Sequence, residues 1–238
     1  MSMRKKTKII CSVIGLLAIA GVILYAGEAL PTSSMFRTVL QLGVIYALIA
    51  VSMNLCNGFT GLFSLGQAGF MTLGAYTYAI LTIPVSARPG VYYLYGVADW
   101  LANLQLPIPV ALLVAGLVGA LFAAIIGAPV LKLKSDYLAI ATLGFAEVVR
   151  IVMASSPLNR VTNGSMGLTK IPGFSSYYGI FIVAIVCIVI IILLLNSSYG
   201  RAFKAIRDDE IAAEAMGINL SKHKQISFIT SSFFAAIG

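Results

Sequence analysis

Charge is what this sequence lacks most. Only 10% of its 238 residues are Asp, Glu, Lys or Arg, against roughly 25% in an ordinary soluble domain. Sixty per cent are hydrophobic and the mean hydropathy is +0.98. A soluble globule cannot be built from that composition, so the chain must hide most of its surface in lipid. Histidine is almost absent: His223 stands alone between two lysines in a polar stretch, where it reads as solvated. With one histidine there is no base beside a serine or cysteine nucleophile and no metal-spaced His/Cys set. The three cysteines, Cys11, Cys56 and Cys187, lie in or beside apolar runs at spacings that match no metal or redox motif, and they read as small lipid- or core-facing residues. There is no Gly-x-x-x-x-Gly-Lys-Ser/Thr, so the chain is not expected to hold a nucleotide. No cofactor, metal or catalytic residue is therefore expected. The net charge of +8 comes from basic residues that flank apolar runs. No basic stripe interleaves with exposed aromatics, which excludes nucleic acid as a partner.

Long apolar runs are what the sequence has instead. The basic tail 1–8, with Arg4, Lys5, Lys6 and Lys8, precedes a run from Ile9 to about Gly27. That run exceeds the roughly 7–15 residues of a signal h-region and no small-x-small cleavage site follows, so it reads as a first span. Further spans are expected from about Phe36 to Cys56, to about Ile83 after a glycine-rich break, from Pro107 to Leu131, from Tyr137 to Met153, from Tyr177 to Leu195, and from Ile226 onward. The expectation is an all-α polytopic bundle of about seven spans over 9–238. With the amino terminus inside, eleven of the sixteen basic residues fall on inner segments, as the positive-inside rule requires. The loops Pro84–Leu106 and Ala154–Ser176 then lie outside, the first with Tyr92, Tyr93, Tyr95 and Trp100 as interface aromatics.

Three features stand out within the spans. Asn57-Gly58-Phe59-Thr60-Gly61 is too glycine-rich for a helix interior, where each Gly costs up to about 1 kcal/mol relative to Ala; it reads as a tight turn or a broken helix. The polar residues around it, Asn54, Ser64, Gln67, Thr72 and Tyr76, are candidates for a pathway lining, because irregular backbone at membrane depth needs protein or water over it. Ala115, Gly119, Ala123 and Gly127 recur every fourth residue and make a flat ridge suited to close helix packing. Glu147 and Arg150 lie three apart and share a face. They read two ways, as a pair that snorkels to water near an outer helix end or as lining of a transport path. In addition, Asn-Gly-x-x-Gly-Leu occurs at Asn57 and again at Asn163, on opposite sides in this topology. It is either an inverted repeat or two unrelated glycine-rich turns.

The loop 196–225 is the long polar stretch between two apolar ones. Arg201, Lys204 and Arg207 are followed by Asp208, Asp209 and Glu210, which suit the first turn of a helix. Ile211, Ala212, Ala215 and Met216 then share a face, and Gly217 suits the position just past the helix end. Such a helix is either a solvated loop or a docking element for a groove on another protein.

These blocks resemble a known family. Ala212, Ala213 and Gly217 match part of the Glu-Ala-Ala-x-x-x-Gly loop of ABC-importer membrane subunits, with Ile211 at the glutamate position and Glu210 just before it. Gly200–Ala213, Asn57–Tyr76 and Asp136–Arg150 together resemble the branched-chain amino-acid (LivM-type) permeases. The resemblance implies one of two membrane subunits of a bacterial inner-membrane importer. Two cytoplasmic ATPase subunits would drive it and an external binding protein would deliver leucine, isoleucine or valine. It places ATPase coupling at Arg207, Asp208, Asp209, Glu210, Ala212, Ala213 and Gly217. Urea or short-amide permeases resemble the same blocks; an ion-coupled transporter would need more buried acids than Glu147, and a passive scaffold would not need the glycine-rich break. Family members continue for a further span or two, so the chain reads as truncated within a helix.

Overall fold

The computed structural model describes residues 21–29, 31, 34–131, 135–174 and 176–238. The basic tail, Cys11, most of the first expected span, and Lys132 and Lys134 lie outside these residues. Among the described residues every regular element is helical, and the chain is an all-α polytopic membrane protein. A helical stretch over 21–29 (α1) precedes α2 (Met35–Asn54), which runs into a π-helical turn at Leu55–Phe59. Then follow α3 (Gln67–Thr82), short α4 (Arg88–Val91), α5 (Ile108–Val130), α6 (Ser135–Met153) and short α7 (Asn159–Thr162). The chain closes with α8 (Tyr178–Asn196), α9 (Ser198–Asp208), α10 (Glu210–Ala215) and α11 (Leu220–Ile237).

Three of the described helices are long and apolar enough to cross a bilayer: Met35–Phe59, Ile108–Val130 and Tyr178–Asn196. Two bent pairs raise the number to five: α3 with Val85–Val91 at 97°, and Tyr137–Met153 with Ser156–Thr162 at 57°. Of the seven expected spans the first lies mostly outside the described residues, and among the described residues up to five pass this measure. The seventh expected span falls on α11, which carries Lys222, His223 and Lys224 in its first turns and four hydroxyl residues between Ser227 and Ser232; it is not among the helices that pass this measure.

That polar helix is the centre of the bundle. The α5 ridge faces it: Ala115, Gly119 and Ala123 are fully or nearly buried, Gly119 sits against Ala236 and the Ser232 carbonyl, and Gly127 sits against Phe228. A side chain at Gly119 would meet the Ala236 methyl at 2.5 Å, closer than any packed carbon pair tolerates. On another flank, Gly74 of α3 packs on the Ala236 backbone. On the third, the α2 end approaches through Ser52 and Leu55. The core follows these faces. Phe70 of α3 lies 5.1 Å from Phe145 of α6 and 5.6 Å edge-on from Phe228 of α11, ring centre to ring centre, and Leu73, Leu138 and Ala235 complete the cluster. Helix α8 joins the bundle through a thinner seam, with Ala184, Cys187 and Ile191 on Leu48 and Phe234.

Loops gather at two ends, in the groups that the charge rule assigns to inside and outside. At one end, Arg207 and Lys204 of α9 lie against Gly58 and Phe59. At the other, the Tyr92 hydroxyl donates to Val161 O (2.8 Å), Tyr78 to Pro172 O (2.7 Å), and Ala98 N to Arg160 O (3.3 Å), which ties the two expected outer loops together. Arg88 is buried there and holds the loop by donating to the carbonyls of Ile83, Leu101 and Leu104. Burial pushes the neighbouring Tyr92 phenol up, with the charge of Arg88 pulling the other way.

Candidate functional site

The polar loop folds as two helices rather than one. Helix α9 is strongly amphipathic. Gly200, Phe203 and Ile206 are buried, so the 3.6-residue period seats it on the bundle. The first acids do not lie inside the following helix: Asp208 ends α9, and Asp209 breaks the chain in extended conformation and caps α10. Its Oδ1 accepts from Ile211 N (2.9 Å) and Ala212 N (3.1 Å), satisfying two otherwise orphan donors. Only Glu210 of the three acids stands in the α10 first turn. At the other end Gly217 adopts φ +83°, with Gly217 N on Glu214 O and Ile218 N on Ala213 O. This pair of bonds is a Schellman closure, and its left-handed residue is what glycine supplies cheaply. The Lys224 ammonium reaches the Glu210 carboxylate at 2.6 Å and ties α10 to α11.

Only part of the expected docking face is free. Ile211 is 82% and Met216 83% exposed, and Ala212 and Ala215 are exposed beside them. Ala213 is buried at 4% and faces the protein's own body, so its side chain seats α10 and does not belong to the outer face. His223 is half-buried rather than solvated: its Nδ1 lies 2.8 Å from Asn219 O, and its ring is 5.9 Å from Tyr199.

The glycine-rich break meets this loop. Arg207 Nη1 donates to Gly58 O at 3.2 Å, and Arg207 Cγ lies 3.1 Å from where a Cβ on Gly61 would stand. Gly61 has φ +76°, so glycine serves there for both the turn and the close approach. Of the two readings of the break, a tight turn or a broken helix, the structure has the broken helix. After the π turn, residues 60–66 are irregular, and helix resumes only at Gln67. Gln67 is level with Ser231 of α11, and Gly69 with Ala146 of α6, so the irregular stretch rises into the span. Side chains and backbone satisfy part of it: Asn57 exchanges bonds with Ser64 N and O, the Thr142 hydroxyl accepts from Leu65 N, and Leu62 N donates to Cys56 O, while Gln67 Oε1 is buried without a partner among the described residues. Thr60 lies 2.6 Å from the Ser227 hydroxyl. Gln67 donates to Ser231 at 2.8 Å, and Ser231 donates to Ser52 O at 2.6 Å. Irregular backbone at depth persists under such cover.

The five pathway candidates of this region do not share one lumen. Asn54 is exposed, with its carboxamide over Gly58. Ser64 is buried within its own loop, bonded to Asn57 and Gly66, and Gln67 is buried against Ser231 of α11. Tyr76 is half-buried and Thr72 faces a different groove. Sequence reading missed the other half of the seam, Thr60, Ser227 and Ser231, and also Thr142 of α6, which accepts from Leu65 N. The i, i+4 serines of the last apolar run were the available signal.

That other groove, about 630 Å³, lies between α3 and α6. Ala68 and Thr72 form one side, and Leu143, Gly144, Glu147 and Arg150 the other. Glu147 and Arg150 pair in a fork, Nε to Oε2 at 2.9 Å and Nη2 to Oε1 at 2.6 Å. Their side chains are 55% and 66% exposed. A separate apolar cavity of about 370 Å³ lies under residues 171–174, between Leu48, Met71, Tyr78 and Ala184. The Asn163 turn resembles the Asn57 turn in part. Gly167 and Gly61 hold the same fifth position at φ +71° and +76°, and each Asn amide donates to a carbonyl of its own loop. The first residues differ, since Asn163 is left-handed and Asn57 lies in the π turn.

Comparison with known proteins brings these blocks under one description. The profile of the family described as branched-chain amino acid transport system / permease component matches residues 35–238. The high-affinity branched-chain amino acid transport system permease protein LivM of Escherichia coli is 32% identical over 82% of this chain and 49% of its own length. Its Salmonella typhimurium counterpart is 31% identical over 81% and 48%. The guanosine ABC transporter permease protein NupQ of Bacillus subtilis is 25% identical over 75% of this chain and 57% of its own. The chain thus spans about half the length of the LivM relatives. No solved structure matches.

Proposed function

Since the chain belongs to the family of branched-chain amino acid transport permease components, we propose that it is a membrane subunit of an ATP-driven importer of leucine, isoleucine and valine, coupled to its ATPases through α9 and α10. The partners are a second membrane subunit, two cytoplasmic ATPase subunits and an external binding protein, in a bacterial inner membrane with the amino terminus inside. ATP hydrolysis belongs to the partner chains. One observation carries the reading. A short helix fixed at both ends by Asp209 and Gly217 presents Ile211 and Met216 outward, with no cover from the described residues. Apolar side chains this exposed on a rigid, polar-flanked element mark a contact surface.

The contact has a route into the bundle. ATPase closure would push α10. The push would pass along α9, whose Phe203 and Ile206 are fully buried, to Arg207 and thence to Gly58 and Gly61. From there the hydrogen bonds of Thr60 and Gln67 reach α11. Asp208 holds Arg207 in place, accepting from its Nε at 3.0 Å and Nη2 at 2.8 Å.

The test is the double variant Ile211→Asp with Met216→Asp. Burying two carboxylates in an apolar contact removes more than the roughly 1.4 kcal/mol that corresponds to tenfold in affinity. Leucine uptake by cells carrying the complete transporter should therefore fall at least about tenfold, at unchanged membrane levels of the protein. Wild-type uptake by this variant would overturn the docking reading. Ala213→Glu is a poorer test, because Ala213 is buried in the chain itself.

A further inference from the structure

We propose that Glu147 and Arg150, with the groove they edge, bind the charged end of a zwitterionic α-amino acid on its way through the membrane. The inference deepens the importer reading and rests on it.

Arg150 stands in the last turn of α6, which ends at Met153, but the pair lies well below the outer end of the α3 helix beside it. It shares its groove with Thr72 of α3, and α3 continues ten residues further, to Thr82, about 15 Å along its axis. A charge pair more than half exposed at that depth cannot be left to lipid. It needs water, protein or a ligand over it.

The chemistry of the pair selects the ligand. Among the described residues its hydrogen bonds are to each other. A guanidinium has five donors and a carboxylate about four acceptor positions, and the fork uses two of each. One ligand carrying both an ammonium and a carboxylate satisfies the remainder. Its carboxylate takes the free edge of Arg150, as guanidinium forks favour, and its ammonium takes Glu147. A singly charged ligand would neutralise only one partner, and an uncharged nucleoside or urea, though able to donate to Glu147 and accept from Arg150, would neutralise neither. Beside the charges the wall turns apolar: Ala68, Gly144, Leu143 and Ile140. Leu143 lies four residues before Glu147, hence on the same helix face. An aliphatic side chain placed below the charged end meets that wall. The groove volume of about 630 Å³ falls within the ordinary range for small-molecule sites.

The test uses the purified complete transporter without its external receptor, and radiolabelled L-leucine as probe. Competitors are 4-methylpentanoate, which lacks the ammonium, and isopentylamine, which lacks the carboxylate. The wild type should bind L-leucine at least about tenfold more tightly than either. E147Q should lose L-leucine affinity and narrow the gap to 4-methylpentanoate alone; R150Q should narrow the gap to isopentylamine alone. Opposite changes in two competition ratios are not what a mere folding defect gives. The charge-exchanged E147R/R150E variant should not recover L-leucine binding, because exchanging the two charges above a fixed apolar wall demands the opposite chirality. Wild-type ratios in both single variants, or full recovery in the exchanged one, would overturn the site and make the pair a structural lock. Those outcomes leave leucine uptake by the wild type intact. If instead the wild-type transporter takes up guanosine or urea and not leucine, the substrate reading itself fails, and the site with it.

Discussion

Helices α8 and α11 are nearly the same length and opposite in every other respect. Helix α8 is an almost unbroken run of Ile, Val and Leu, and most of it faces outward: Ile182, Ile185, Val186, Ile190 and Leu193 are all exposed. Helix α11 carries Ser227, Thr230, Ser231 and Ser232, yet Ser227, Ser231 and Ser232 are fully buried. In water the apolar helix would be the core. In lipid, apolar side chains gain nothing by leaving the solvent, so burial goes to helices with small residues that pack closely and polar groups that need partners. The most hydrophobic segment marks the periphery and the most polar one the axis.

Substitutions that break this contrast should differ in size. Gly119→Leu drives a branched side chain into Ala236 and the Ser232 carbonyl. Overpacking costs about 1–3 kcal/mol and sometimes more, so the largest loss of folded protein in detergent chromatography is expected here. Ser231→Leu removes the acceptor for Gln67 and the donor to Ser52 O. Each group left unpaired costs about 1–3 kcal/mol, and thermal unfolding in detergent should show a clear destabilisation. Asp209→Ala deletes the α10 cap, worth about 1 kcal/mol; amide exchange at Ile211 and Ala212 should quicken while the spans keep their protection. Ile185→Val, on the exposed face of α8, should change stability by less than about 0.5 kcal/mol. An α8 change as costly as Ser231→Leu would mean that this face is covered by protein.

The sequence shows the spans where hydropathy and lipid exposure coincide. The runs ending at Cys56, Leu131 and Leu195 match α2 with its π turn, α5 and α8 within a few residues. It also shows the short helix α10 and its terminal glycine, because capping is local chemistry. The division at Asp209 was harder to see. Arg207 and the three acids read as one charged run, and only the extended backbone at Asp209 separates two helices. The central place of α11 was hidden for a different reason: it depends on contacts with α2, α3 and α5, far apart in sequence. Likewise, Gln67 and Thr72 look equivalent in the sequence, but α3 turns one to Ser231 of α11 and the other to the Glu147–Arg150 groove.

The central claim is that the outward face of α10 receives force from a cytoplasmic ATPase, and site-directed labelling tests it most directly. Met216→Cys, at a position 83% exposed, should react with a membrane-impermeant maleimide in inside-out vesicles and not in intact cells. A bifunctional reagent at that position should cross-link it to the ATP-hydrolysing partner, and the partner should protect it from the maleimide. Labelling from the outer face, or full reactivity with the ATPase bound, would contradict the account.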